Sequence, residues 1–301
     1  MQPPEKQSSN PTGTDNEISL SKHISTMIVS RLFAYSPNLK QSWVLVAIVY
    51  LFGYMTTILC AMAPDDVGEV GSLLVRIVVA VLLVSGVSKS YNYVPVASPR
   101  QSLELWLLLV PFTVSVCLAA KPLTMWIPAP YIVRIYFEEM VWYKFKLIYF
   151  FITVIIGPIY REWLYRGIIL KGLLAHYSPL KAIVWSAVIF TVINVYPWHP
   201  AATFCFALAI GWVYWRTRSL WLCVFMHAIN NAASFLVRII LPDTFLPKDE
   251  WDMIYKYVYT YVDIECSYYV YAIALFVCVL TWMRIKNIIV SPVIVSDAQD
   301  C

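Results

Sequence analysis

Eight long apolar runs are the feature that most constrains this chain. They cover approximately residues 43–63, 72–88, 103–120, 146–170, 180–196, 201–215, 219–241 and 266–290. A helix needs about 20 mostly apolar residues to cross a bilayer, and these runs are continuous rather than alternating, which disfavours strands. Apolar residues make up 60% of the chain and charged residues 13%. The sequence therefore predicts an all-α, polytopic membrane helix bundle with about eight transmembrane helices.

The basic residues predict how this bundle is oriented. Each connection on one side of the predicted spans holds two of them, in the pairs Lys89 and Arg100, Lys171 and Lys181, Arg216 and Arg218, and Arg284 and Lys286. The positive-inside rule then favours both termini in the cytoplasm. We predict a disordered tail and interfacial helix over 1–40, the transmembrane bundle over 41–290 and a short tail over 291–301. Span length does not discriminate between a plasma membrane and an endoplasmic-reticulum-type membrane.

The fourth run contains ionisable groups at membrane depth, where a charge is costly and marks a candidate functional site. Glu162 and Arg166 are four residues apart, so they lie on one helical face and can pair, whereas Arg161 is rotated away from them. Two interpretations are open from this spacing. The pair is either a structural ion pair that fixes the helix in the bundle, or Glu162 is a catalytic carboxylate.

The seventh run supplies a second polar pair, His227 and Asn231, again four residues apart. A histidine and an amide facing a carboxylate would offer a proton acceptor and a donor for an oxyanion. A metal site is not predicted, because zinc needs three or four protein ligands and only Glu162 and His227 are buried candidates. No cofactor is predicted, and the modest charge of +4 gives no indication of nucleic-acid binding.

The order of these motifs resembles the CPBP family, which comprises CAAX proteases and bacteriocin-processing or immunity proteins of the Abi type. The resemblance covers about 155–235, within a core predicted at about 146–241. Its first motif is P-x-x-E-E-x-x-x-R-G, its second F-x-x-x-H and its third H-x-x-x-N. The residues in register are Pro158, Glu162, Arg166, Gly167, Phe190, Gly211, Ser219, Leu220, Trp221, His227 and Asn231. The resemblance implies an eight-helix intramembrane protease whose glutamate and histidine activate water.

Two motif positions differ from the family pattern. Arg161 stands where the first glutamate is expected, and its guanidinium cannot act as a base. Asn194 stands where the second-motif histidine is expected, and its amide cannot take a proton from water.

Three functions are compatible with this sequence. The first is an intramembrane endopeptidase acting on a membrane-associated protein or peptide, with prenylated CAAX-type proteins as the family's substrate class. Its predicted catalytic residues are Glu162 as the base that activates water, with His227 and Asn231 as partners, supported by Arg166, Asn194 and Arg161. The second is a catalytically inactive relative that serves as a binding partner or scaffold. The third is a small-molecule transporter, which the lack of inverted repeats disfavours.

Overall fold

The computed structural model describes residues 36–59, 65–87, 101–124, 150–193, 200–240 and 268–289. Within these ranges the chain is all-helical and has no strand, so the all-α part of the predicted fold class is confirmed. Eight helices follow one another in the described ranges: α1 (Leu39–Leu59), α2 (Asp65–Val87), α3 (Leu103–Thr124), α4 (the consecutive segments Ile152–Ile156, Gly157–Glu162, Trp163–Leu170 and Lys171–His176), α5 (Pro179–Ile193), α6 (Pro200–Thr217), α7 (Leu220–Ile240) and α8 (Tyr268–Ile288). The predicted interfacial helix and the tail at 291–301 lie outside the described residues.

Three of these helices are long and apolar enough to cross a membrane. They provide the stretches Leu39–Thr56 in α1, Leu103–Leu123 in α3 and Tyr269–Ile288 in α8. Shorter apolar stretches occur at Val70–Ser85, Pro179–Ile193 and Leu220–Leu236. The helices coincide closely with the eight apolar runs, but eight membrane crossings and a cytoplasmic location of both termini stay predictions.

Large apolar side chains cover the outside of this structure, while a few charged or titratable side chains lie inside it. Glu162, Arg166 and His227 are among the buried side chains, whereas Leu59 is 82% exposed and Leu180 is 75% exposed. Large apolar side chains also cover the outside of α8. Such a surface would be unfavourable in water and is favourable against lipid acyl chains. The burial pattern therefore supports a membrane environment.

Helix packing places α4 and α7 against each other near the centre of the described structure. Helix α3 packs against α6, α7 and α8, while α1 pairs with α2 and α5 pairs with α6. The hydrophobic core runs through all of these helices and includes Leu164, Ile168, Ile210 and Met226. The two helices that carry the predicted site residues are thus in direct contact.

Helix α4 is irregular because two of its four segments, Ile152–Ile156 and Trp163–Leu170, are π-helical. The Gly157 amide donates to the Ile152 carbonyl, five residues back, instead of to Thr153. Pro158 has no N–H and so cannot donate to the Thr153 carbonyl in that pattern. π-Helical turns inside α-helices frequently mark functional sites. Here they flank the short α-helical segment that ends at Glu162.

Capping interactions explain where two helices begin. Helix α1 begins at Leu39, four residues before the predicted start at residue 43. The side-chain oxygen of Gln41 accepts a 2.9 Å hydrogen bond from the Asn38 amide, and that of Asn38 accepts a 3.0 Å hydrogen bond from the Gln41 amide, which caps the helix. Helix α6 ends next to Arg218, which has a left-handed φ of 52°. Ser219 then accepts a hydrogen bond from the Leu222 amide at 3.5 Å. This tight turn fixes where α7 starts. It thereby fixes how many turns into the helix His227 lies.

Candidate active site

The predicted pair between Glu162 and Arg166 forms in the interior. Nη1 of Arg166 lies 3.1 Å from both oxygens of the Glu162 carboxylate and donates its hydrogen bond to Oε1. Glu162 is 0% and Arg166 1% exposed. Nη2 of Arg166 donates to the Ala207 carbonyl on α6 at 3.2 Å, and the guanidinium carbon lies 4.8 Å from the centre of the Phe190 ring on α5. Arg166 therefore links three helices.

His227 joins this pair from α7. Its Nδ1 lies 2.6 Å from Oε1 of Glu162, which is short for a nitrogen–oxygen hydrogen bond. The rings of Phe190 and Phe206 approach the imidazole edge-on, with centroids 5.9 and 5.7 Å away. The two predicted polar groups, 65 residues apart in sequence, thus converge on one carboxylate oxygen.

The 2.6 Å contact shows that Nδ1 is the imidazole nitrogen that faces Glu162. A carboxylate can only accept a hydrogen bond, so opposite a carboxylate Nδ1 of His227 is the donor. When the ring is neutral, Nε2 then holds the lone pair. No described residue hydrogen-bonds Nε2, which leaves it free to accept a proton from another molecule.

Asn231, one turn after His227, faces the first π-helical segment of α4. Its Nδ2 donates to the Thr153 carbonyl at 2.9 Å, and its Oδ1 accepts a 3.3 Å hydrogen bond from Nδ2 of Asn230. The Asn230 amide oxygen in turn accepts a 3.0 Å hydrogen bond from the Cys117 thiol on α3. One N–H of Asn231 is therefore used to join α7 to α4, and its second N–H is available for another acceptor.

Two predicted site residues remain, Arg161 and Asn194, and of these the structure describes only Arg161. Arg161 is half-buried, and among the residues in the described ranges it has no hydrogen bond or ion pair. Asn194 lies outside the described residues.

Two buried polar atoms at the centre of the site have no hydrogen-bond partner in the described part of the chain. They are Nε of Arg166 and Oε2 of Glu162, which lies 3.1 Å from Nη1 of Arg166 but accepts no hydrogen bond. Buried polar atoms usually have a hydrogen-bond partner, so a water or ligand donor that reached Oε2 would be stabilised there. Within the same ranges no three His, Cys, Asp or Glu side chains group closely enough to hold a metal ion.

Comparison with known protein families identifies this region. Residues 141–233 match the family model described as type II CAAX prenyl endopeptidase Rce1-like. The segment is Rce1-like. The family recognition based on the motifs is thereby confirmed over a little under a third of the chain. Comparisons with curated proteins and with solved structures give no match.

The Rce1-like segment contains the contacts among Glu162, Arg166 and His227. It also contains both partners of the hydrogen bond from Asn231 to Thr153. Sequence reasoning did not identify the carbonyls of Thr153 and Ala207, because every residue has a carbonyl and the sequence carries no direct signal for one that is used. An indirect signal exists for Thr153, since Pro158 removes a backbone donor five residues later.

Proposed function

We propose that this chain is an intramembrane endopeptidase that hydrolyses a peptide bond of a membrane-associated protein or peptide. The observation that carries the proposal is the 2.6 Å contact between Glu162 and Nδ1 of His227. A carboxylate that holds one imidazole nitrogen leaves the other as a general base, an arrangement used in several hydrolases. The Rce1-like match of residues 141–233 supports the same class of reaction.

The contacts favour a division of roles that differs from the one predicted from the sequence. Oε1 of Glu162 already accepts hydrogen bonds from Arg166 and His227, so Glu162 is better suited to orient the histidine than to take a proton itself. Nε2 of His227 would accept a proton from water as the water oxygen attacks the peptide carbonyl. The resulting imidazolium is stabilised by Glu162 and returns the proton to the leaving amine. One water molecule is consumed for each peptide bond that is hydrolysed.

Asn231 would assist this step by stabilising the oxyanion. Its second N–H lies one helical turn from the histidine, on the same face, and a single oxyanion donor contributes roughly 10²–10³ in rate. Arg166 would hold the Glu162 carboxylate in position without touching the substrate. The residues proposed here are those of the predicted catalytic set, Glu162, His227 and Asn231, with the role of base given to His227.

Water is a better candidate for the nucleophile than a side chain. Cys223 is one turn before His227 on α7, where a thiol could form a dyad with the imidazole. Its Sγ instead donates to the Ser219 carbonyl at 3.3 Å, and the residue is buried. A thiol bonded to its own helix backbone is not activated by a neighbouring base.

A second function is favoured by one observation, the closure of the polar network. Glu162, Arg166 and His227 are 0–2% exposed and bond mainly to one another, which is how a structural triad would look. Arg161 also replaces the first glutamate of the family motif, so one carboxylate expected to activate water is missing. In this alternative the chain binds a membrane partner as an inactive scaffold.

The cellular setting of both functions is the same. We propose that the eight helices form one multi-pass bundle with both termini in the cytoplasm, in a plasma membrane or an endoplasmic-reticulum-type membrane. The basic residues of the connections and the apolar outer surface support this topology.

Hydrolysis by the purified, reconstituted protein distinguishes the two functions. Wild type, Glu162→Gln and His227→Ala would be placed in liposomes with a library of membrane-tethered peptides, and products would be identified by mass spectrometry. Arg284→Gln is the matched control, because it alters an exposed ion pair with Glu104. Cleavage by wild type and the control that both site variants abolish supports the endopeptidase. Cleavage that both site variants retain would exclude this site, and absence of cleavage by wild type would favour the scaffold.

A further inference from the structure

A chain of three hydrogen bonds joins α3 to α4 through two neighbouring amides of α7. Sγ of Cys117 on α3 donates to Oδ1 of Asn230 at 3.0 Å, and Nδ2 of Asn230 donates to Oδ1 of Asn231 at 3.3 Å. Nδ2 of Asn231 then donates to the Thr153 carbonyl at 2.9 Å. The three side chains are partly buried, and neither Cys117 nor Asn230 is among the predicted site residues.

The direction of this chain is set at its α4 end. A backbone carbonyl can only accept, so Asn231 must turn Nδ2 rather than Oδ1 towards Thr153. Oδ1 of Asn231 then faces Asn230, which must present its own Nδ2, and this leaves Oδ1 of Asn230 for the Cys117 thiol, a donor. Rotating either amide by 180° would bring two oxygen acceptors together. The chain therefore has one consistent arrangement.

This arrangement leaves Asn231 with a single group for a substrate. Its oxygen is held by Asn230 and one N–H is held by Thr153, so the second N–H is the group that an oxyanion would meet. Donors of this kind stabilise a transition state only when they are held in place beforehand, and a misplacement of about 1 Å can cost about 10² in rate.

We infer that Asn230 is a positioning residue that fixes the amide of Asn231, and that Cys117 anchors Asn230 to α3. The inference rests on the proposed function, because it deepens the role of Asn231 as the oxyanion donor. Neither Asn230 nor Cys117 touches the substrate in this scheme. Both act through the orientation of Asn231, as supporting residues around a site do when they lock the rotamers of groups that act directly.

Infrared spectroscopy tests the chain of hydrogen bonds without requiring turnover. The S–H stretch of a thiol changes with its hydrogen bonding, and the Cys117 band is the difference between the spectra of full-length wild type and Cys117→Ala in nanodiscs. We expect Asn230→Leu to shift this band. Asn231→Leu should shift it as well, although the thiol bonds Asn230 and not Asn231, because Asn230 loses the acceptor that orients its amide. Arg284→Gln is the control and should leave the band in place.

Cleavage kinetics, normalised to folded protein, test the positioning role. Asn230→Leu is expected to lower kcat roughly 10- to 100-fold with KM little changed, and to cause no further loss in an Asn231→Leu background. Cys117→Ala should lower kcat roughly 2- to 10-fold, the effect of one hydrogen bond, and Cys117→Ser should restore most of it because a hydroxyl still donates. Cys205→Ala, at a partly buried cysteine on α6, is the matched control and should leave kcat unchanged.

A Cys117 band that neither asparagine variant shifts would overturn the inference. So would losses of kcat that multiply between Asn230→Leu and Asn231→Leu, since they would show that Asn230 acts independently of Asn231. The outcome is separable from that of the proposed function. Shifted bands without cleavage by wild type support the positioned amide and contradict the endopeptidase, whereas cleavage with unshifted bands supports the endopeptidase and contradicts the positioning role.

Discussion

Asn231 occupies the hydrogen-bonding position that Pro158 leaves empty on α4. The Gly157 amide donates to Ile152, Pro158 has no amide hydrogen, and Nδ2 of Asn231 donates to the Thr153 carbonyl at 2.9 Å. The proline of the first motif and the asparagine of the third are therefore structurally linked. This linkage gives the asparagine a packing role in addition to its predicted role as an oxyanion donor.

A double-mutant cycle measures this linkage. Asn231→Leu leaves the Thr153 carbonyl without its side-chain donor and is expected to destabilise the fold by about 1–3 kcal/mol. In a Pro158→Ala background the restored backbone N–H can bond Thr153, so the same substitution should cost less, with a coupling of about 0.5–3 kcal/mol. Equilibrium unfolding in mixed micelles is the measurement. Strict additivity of the two substitutions would contradict the linkage.

The sequence was sufficient to predict the helical fold and the two polar pairs. Apolar run length located the helices, and i,i+4 spacing placed Glu162 with Arg166 and His227 with Asn231. The convergence of Glu162 and His227 is the relationship that the motif order implied, and their 2.6 Å contact agrees with it.

Details set by backbone geometry could not be read from residue types. The sequence did not predict the π-helical turns of α4, because periodicity over a fully apolar run does not distinguish α-helical from π-helical turns. It also did not predict that Oε1 of Glu162 accepts from both Arg166 and His227, since side-chain reach across helices depends on how they pack. That shared oxygen moves the proposed base from Glu162 to His227.

The buried Glu162–Arg166 pair should contribute to stability in a strongly non-additive way. Glu162→Gln leaves an uncompensated buried guanidinium and is expected to cost about 3–5 kcal/mol. Glu162→Gln combined with Arg166→Met removes both charges at similar volume and should cost less than the single change. Unfolding midpoints of the two variants test this order. Glu104→Gln, in the exposed pair with Arg284, is the control and should cost about 0–1 kcal/mol.

Removal of the base should affect catalysis and not substrate binding. His227→Ala is expected to lower kcat by roughly 10²–10⁴ with KM little changed, because a general base acts only as the proton moves. Glu162→Gln should give a comparable loss, since the imidazole is no longer held with its lone pair at Nε2. The double variant should be no worse than either single one, because the two residues act as a unit. Initial rates normalised to folded protein provide the measurement, and losses that multiply would contradict a joint role.

Gly172 permits the close contact between the start of the described chain and the end of α4. A Cβ added at Gly172 would lie 2.5–2.6 Å from atoms of Pro37, including its backbone nitrogen and oxygen, which cannot move independently of the chain. The neighbouring His176 ring nitrogen Nε2 lies 3.3 Å from the Ser36 carbonyl, so the same contact would be disturbed. Gly172→Ala is expected to cost about 1–3 kcal/mol.

The matched control for Gly172→Ala is Gly71→Ala, another glycine within a helix. Its added Cβ would meet only the Thr56 methyl group, at an ordinary 3.7 Å. Alanine has the higher helix propensity, so this substitution should be neutral or stabilise the protein by up to about 1 kcal/mol. Thermal unfolding of the two variants in the same detergent gives opposite shifts in Tm if Pro37 packs against α4 as described. Equal shifts would show that helix propensity alone decides the outcome and that the Pro37 contact is absent in solution.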